Sequence, residues 1–169
     1  MTDIYDPHHP HSEHNEIHPT AIIYPNVKMG KGNKIGAYSV IGSDGEIRDT
    51  KEFEGWVEIG DNNVISELVT IQRPAVKGQV TKIGSGNIIM AHSHIGHDAV
   101  IGNGCEISTG CIIGGYATIE DTAKLKLGVT VRNRKTIHEG ATVGMGAVVV
   151  SNIDAHTVVI GNPAKRMIK

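Results

Sequence analysis

Residues 90–98 read M-A-H-S-H-I-G-H-D, which puts His92, His94 and His97 within six residues and Asp98 directly after the last. An imidazole titrates near pH 6.5, so at neutral pH it can take a proton from a hydroxyl or an amine. An acid beside it can orient the ring or stabilise its charged form. Adjacency in sequence does not itself establish that contact. His97 is the first candidate for a general base, and His94 is a second. A solitary surface histidine usually does nothing. These three interrupt a regular repeat, which changes their standing.

The repeat has a period of six. Ile83, Ile89, Ile95, Ile101, Ile107, Ile113, Ile119, Leu125, Val131, Ile137, Val143 and Val149 form an unbroken aliphatic series. Four residues after most of them comes a small side chain, such as Ser93, Ala99, Cys105, Cys111, Ala117, Ala123, Ala141 or Ala147. A helix repeats near 3.6 and a flat strand at 2, so neither explains a strict six. Hexads of this kind mark a parallel β-helix, whose repeats bury their apolar side only by stacking. Three hexads make a triangular coil of 18 residues, with aliphatics inward along each edge and Gly and Asn supplying unusual backbone shapes near the corners. Residues 18 apart then stack about one strand spacing, ~4.8 Å, from each other.

Composition agrees with such a coil. Of 169 residues, 39% are hydrophobic and only 4% aromatic, too few rings for a conventional globular core. One domain is expected. A formal charge of −2 argues against nucleic acid or an anionic membrane as main partner. No apolar run approaches a membrane span and no signal peptide opens the chain. Cys105 and Cys111 fall on consecutive hexads, hence on different edges. Two buried free thiols, rather than a disulfide, suit a reducing cytoplasm.

Residues 1–16 lack the period and carry His8, His9, His11 and His14. A metal site is weighed there against a solvated, mobile leader, and the leader is favoured. The repeat runs from Ile17 through Ile23, Met29, Ile35 and Ile41, then meets the polar stretch 42–56, in which Ile47 and Phe53 keep register. It reads as an ordinary coil or, preferably, as a loop leaving the coil wall. Residues 73–81 read as a shorter protruding loop, with Lys77 where an aliphatic is expected. Lys124, Lys126 and Lys135 are out of pattern, and Lys135 demands either a distorted coil or an outward side chain. The β-helix domain is placed at 17–154. Residues 155–169 form a tail whose proline stops the repeat and caps an otherwise open strand edge.

H-I-G-H-D, together with V-E-I-G-D-N-N-V-I-S-E-L-V-T-I-Q-R before it and G-G-Y-A-T-I-E-D after it, resembles the UDP-N-acetylglucosamine O-acyltransferases of lipid A synthesis. The resemblance covers most of the coil and implies its left hand, a homotrimer with sites between neighbouring coils, and an acyl thioester donor with no bound cofactor or metal. It assigns His97 as general base and the Gly115 N–H as oxyanion donor. The spacing supports this independently, since His97 and Gly115 are 18 apart, one full coil. Base and donor on neighbouring rungs can bracket one carbonyl. Asp49 and Lys51 resemble the family's D-x-K pair for the sugar, against a reading as solvated loop charges. The family has His where this chain has Tyr116, and His-Gln where it has Arg132 and Asn133. Those positions help hold the nucleotide sugar, so the acceptor is open.

The family also carries a helical C-terminal domain for acyl carrier protein, and this chain ends before one would fit. Its ending, V-I-G-N-P-A-K-R-M-I-K, looks like that of coenzyme A-dependent hexapeptide acetyltransferases. Lys165 and Arg166 are accordingly candidates for the phosphates of coenzyme A, or else solvated tail charges. Two other classes stay open. Coils of this type also host γ-class carbonic anhydrases, and His92 and His97 are five apart as two zinc ligands would be, but no His stands near Gln72 for the third. A non-catalytic scaffold is the other. The expected protein is an all-β, left-handed parallel β-helix acyltransferase that acts on a small-molecule sugar acceptor.

Overall fold

The computed structural model describes residues 11, 13–47 and 55–167. Strands of two to five residues recur throughout, with no helix among the described residues. They form three sheets of nine, seven and six strands, the faces of a triangular coil. In the regular part each residue pairs in parallel with the one a full coil later: Ile89 with Ile107, Ile95 with Ile113, Ile101 with Ile119. The inward aliphatics are all but fully buried, and so are the small residues Ala99, Cys105, Cys111, Ala117 and Ala123 beside them. β-Branched side chains suit this extended backbone, and small ones let the chain turn every sixth residue.

The asparagines are a correction to the expected corner role. Asn62 does take a left-handed corner conformation (φ 56°). Asn33, Asn63 and Asn87 instead point inward, fully buried, as a ladder. Asn63 Nδ2 donates to Asn33 Oδ1 at 2.9 Å, and Asn87 Nδ2 to Asn63 Oδ1 at 3.0 Å. Cys105 ends the ladder, its N–H donating to Asn87 Oδ1 at 2.7 Å. Each buried amide is thereby satisfied, as a buried polar group must be.

Two segments leave the coil, both at the corner between the seven- and six-stranded faces, the 7/6 corner. Val27 pairs with Val57, and Val40 with Thr70, a spacing of 30 against the regular 18. Val57 pairs with Thr81, and Thr70 with His94, a spacing of 24. The insertions are therefore two hexads and one hexad long, which is why register survives them. Ile47 lies within the first insertion and outside any strand, so it is not a rung; Phe53 lies outside the described residues. Lys77 is exposed in the second insertion.

At Lys135 the coil is undistorted, since Thr118 pairs with Thr136 in register and the lysine is half-buried. The coil also reaches further than its expected bounds at 17 and 154. Glu16 already pairs with Lys34. Val158–Ile160 continues the nine-stranded face, and Lys165–Arg166 folds back antiparallel on it, covering that edge. Cys105 and Cys111 are free and buried, at different corners.

Candidate active site

His97 sits at the 7/6 corner, between the strands His94–Ile95 and Val100–Ile101. It is 8% exposed. Asp98 turns back onto it through a left-handed backbone (φ 58°). The Nδ1–H of His97 donates to Asp98 Oδ2 at 2.8 Å. The same oxygen accepts the N–H of Ala75, in the second insertion, at 2.9 Å, and the N–H of Asp98 donates to Thr81 Oγ1 at 2.8 Å. The carboxylate is thus locked against Nδ1. The other ring nitrogen, Nε2, faces the backbone of Gly115.

Gly115 lies on the next rung, its backbone directly beside that nitrogen. A Cβ there would lie 2.5 Å from His97 Cε1 and closer still to Nε2. Among the described residues the Gly115 N–H donates to no backbone or side-chain acceptor. Tyr116 follows, its ring edge-on to His97 with centroids 5.0 Å apart and planes at 86°. Arg134, one rung further, lays its guanidinium 4.0 Å over the Tyr116 ring.

His94 faces outward beside this corner. Its Nδ1 is 2.8 Å from Thr70 Oγ1. Burial pulls its pKa below the ordinary value, Glu46 opposes that shift, and His97 adds to it. The ring lines a cleft of about 390 Å³ with Tyr24, Ser43, Asp44, Glu46, Thr70 and Gln72. Arg73 Nε donates to Asp44 Oδ1 at 2.7 Å, so the two insertions are tied together across the cleft.

Residues 81–115, which span this site, match the family model for the bacterial transferase hexapeptide (six repeats). An acyl-[acyl-carrier-protein]–UDP-N-acetylglucosamine O-acyltransferase of Pseudomonas putida is 33% identical over 188 residues, covering 89% of this chain and 73% of the relative. The chain belongs to that family of hexapeptide-repeat acyltransferases. The Synechocystis protein of the same name is 34% identical across 82% of this chain and 50% of its own length. The chain thus spans about half of that relative. The UDP-N-acetylglucosamine acyltransferase of Bacteroides fragilis superposes with a TM-score of 0.88 at 30% identity, covering 91% of this chain and 60% of that one. A mirror-image coil would not superpose so, and the fold is a left-handed parallel β-helix.

Within this coil the other candidate residues separate into groups. His97, Asp98, Gly115, Tyr116 and His94 come together at or beside one corner. Arg132 and Asn133 stand exposed on the rung above Gly115. Asp49 and Lys51 lie outside the described residues. Lys165 and Arg166 are exposed at the end of the nine-stranded face, so within one chain they do not join the His97 corner. Within one chain the zinc pairing does not form: His92 occupies the 9/7 corner and His97 the 7/6 corner. Among the described residues no three His, Cys, Asp or Glu side chains group to hold a metal. Sequence reasoning missed Thr70, Ala75, Thr81 and Arg134. Only Arg134 carried a signal, being one coil beyond Tyr116.

Proposed function

We propose that this acyltransferase moves an acyl group from a thioester, acyl-CoA or acyl carrier protein, to a hydroxyl or amine of a nucleotide-linked sugar. The observation that carries the proposal is the pairing of His97 Nε2 with the unengaged Gly115 N–H on adjacent rungs. Nε2 takes the acceptor's proton as its oxygen or nitrogen attacks the thioester carbonyl. The Gly115 N–H receives the oxyanion. Collapse breaks the C–S bond, and the departing thiolate recovers the proton from the His97 imidazolium, which Asp98 stabilises meanwhile. The cleft beside His94 has room for a sugar ring. The relatives' printed donor and acceptor, acyl carrier protein and UDP-N-acetylglucosamine, support the substrate class.

The working unit is a homotrimer in the reducing cytoplasm, with the site completed between copies. Lys165 and Arg166 reach a bound coenzyme A only across such an interface. Steady-state kinetics with acetyl-CoA and with an acyl carrier protein thioester, against a panel of nucleotide sugars, tests the proposal. His97→Ala should keep fold and assembly and lose at least about a hundredfold in turnover. Changing Lys165 and Arg166 together to Ala should raise KM for acyl-CoA severalfold with kcat little altered. Near-normal turnover of the His97 variant would sink the mechanism. A wild-type protein inert with every pair would favour the scaffold.

A further inference from the structure

On three successive rungs the 7/6 corner fills its left-handed turn position with side chains: Asp98 (φ 58°), Tyr116 (φ 59°) and Arg134 (φ 61°). On those rungs the 9/7 corner has His92, Gly110 and Gly128, and the 6/9 corner has Gly104, Thr122 and Gly140. Glycine is the easy residue at positive φ, but the 9/7 corner also does without it at Tyr38, Leu68 and His92, so what sets the 7/6 corner apart is contact among its side chains. Here they touch one another. Asp98 holds His97, Tyr116 abuts His97, and Arg134 sits over the Tyr116 ring.

Arg132, Arg134 and Lys135 gather three positive charges on the rung above Gly115. Among the described residues none of the three is paired with a carboxylate. A guanidinium held over a ring face by cation–π attraction still has N–H groups to offer, and its planar fork suits an oxyacid through two hydrogen bonds. We propose that Arg134 is a specificity-determining residue that receives an anionic oxyacid group of the acceptor, a phosphate or carboxylate, one rung beyond the reacting atom. Tyr116 is its positioning residue. The proposal rests on the sugar-acylating function above and names the residue that reads its acceptor's anionic group.

Reach decides which substrate supplies the anion. One rung is about 4.8 Å. In a sugar phosphate the reacting ring substituent and the phosphate are only a few bonds apart. In coenzyme A the whole pantetheine arm separates the thioester from the pyrophosphate, which would carry that charge several rungs away.

The test is titration calorimetry with UDP, glucuronate and neutral N-acetylglucosamine, on wild type, Arg134→Ala, Arg134→Lys and Tyr116→Leu, backed by KM and kcat for the best acceptor. Arg134→Ala should weaken the anionic probe about tenfold or more and leave the neutral sugar unaffected. Arg134→Lys should recover only part, because lysine lacks the planar fork. Tyr116→Leu should reproduce the loss with the arginine still present. In turnover, KM for the anionic acceptor should rise far more than kcat falls. Preference for UDP identifies a phosphate, and preference for glucuronate a carboxylate. Equal anion binding by wild type and Arg134→Ala, no anion binding by wild type, or equal losses for neutral and anionic probes would each overturn the assignment. Arg134-dependent UDP binding without any acyl transfer would overturn the sugar-acylating function while leaving the anion site standing.

Discussion

Gly115 and His97 are in such close contact that no side chain fits between them: a Cβ on Gly115 would meet the ring at Cε1, Nε2 and, at 3.0 Å, Cδ2. Gly115 is not among the glycines with positive φ. The requirement is therefore space, not backbone freedom. His97 cannot swing aside, because Asp98 grips Nδ1 and Tyr116 closes one flank. On the proposed mechanism, Gly115→Ala should tilt the His97 ring and crowd the oxyanion position, lowering kcat by roughly 10²–10³. The melting transition should move little. Measuring both together checks this, and an unaffected kcat would contradict the arrangement.

The rungs at Ile101 and Ile107 are buried to within 1%. Truncating either to alanine leaves a cavity that stacked neighbours can only partly close. Each change should cost roughly 2–5 kcal/mol in denaturant unfolding. Midpoints identical to wild type would mean that these residues are not the inward ones.

Acid should weaken the fold partly through His94. Burial depresses its folded pKa below the ordinary 6.5. The unfolded chain then binds the proton first, so this contribution is complete above about pH 6.5 and is lost as pH falls through the folded value. His94→Gln removes the titration. Melting temperatures compared at about pH 7.5 and about pH 5 should drop less in the variant than in wild type. Parallel drops would assign the acid sensitivity elsewhere.

Burial also sets the thiols. It pushes Cys105 up to about 11 and raises Cys111 as well. The reactive thiolate is then scarce at pH 8, and the sulfurs are shielded. A disulfide-exchange reagent should label neither thiol in the native protein and both after unfolding in urea. Rapid native labelling of Cys105 would show that the coil opens there.

The residues that build the coil speak for themselves in the sequence. Ile83 through Val149 mark every edge, because each hexad contacts chiefly the hexads one coil away and so must repeat their chemistry. That same regularity makes Gly115 the neighbour of His97 from arithmetic alone, and it would have added Arg134 to Tyr116. Whole-hexad insertions kept the register legible even across the two loops.

Tertiary structure decided what depends on direction and on chain paths that break the period. His92 and His97 are five apart, yet a corner turn sends them to different vertices. Asp98 follows His97, yet only its left-handed backbone brings the carboxylate onto Nδ1. Ala75 and Thr81 hold Asp98 because the second insertion returns to the corner it left, and no local pattern encodes that return. Asn33, Asn63 and Asn87 look like turn residues until stacking gives each amide a partner on the rung below. Periodicity is written residue by residue, whereas closure of a loop against a side chain many residues away is settled only when the coil is wound.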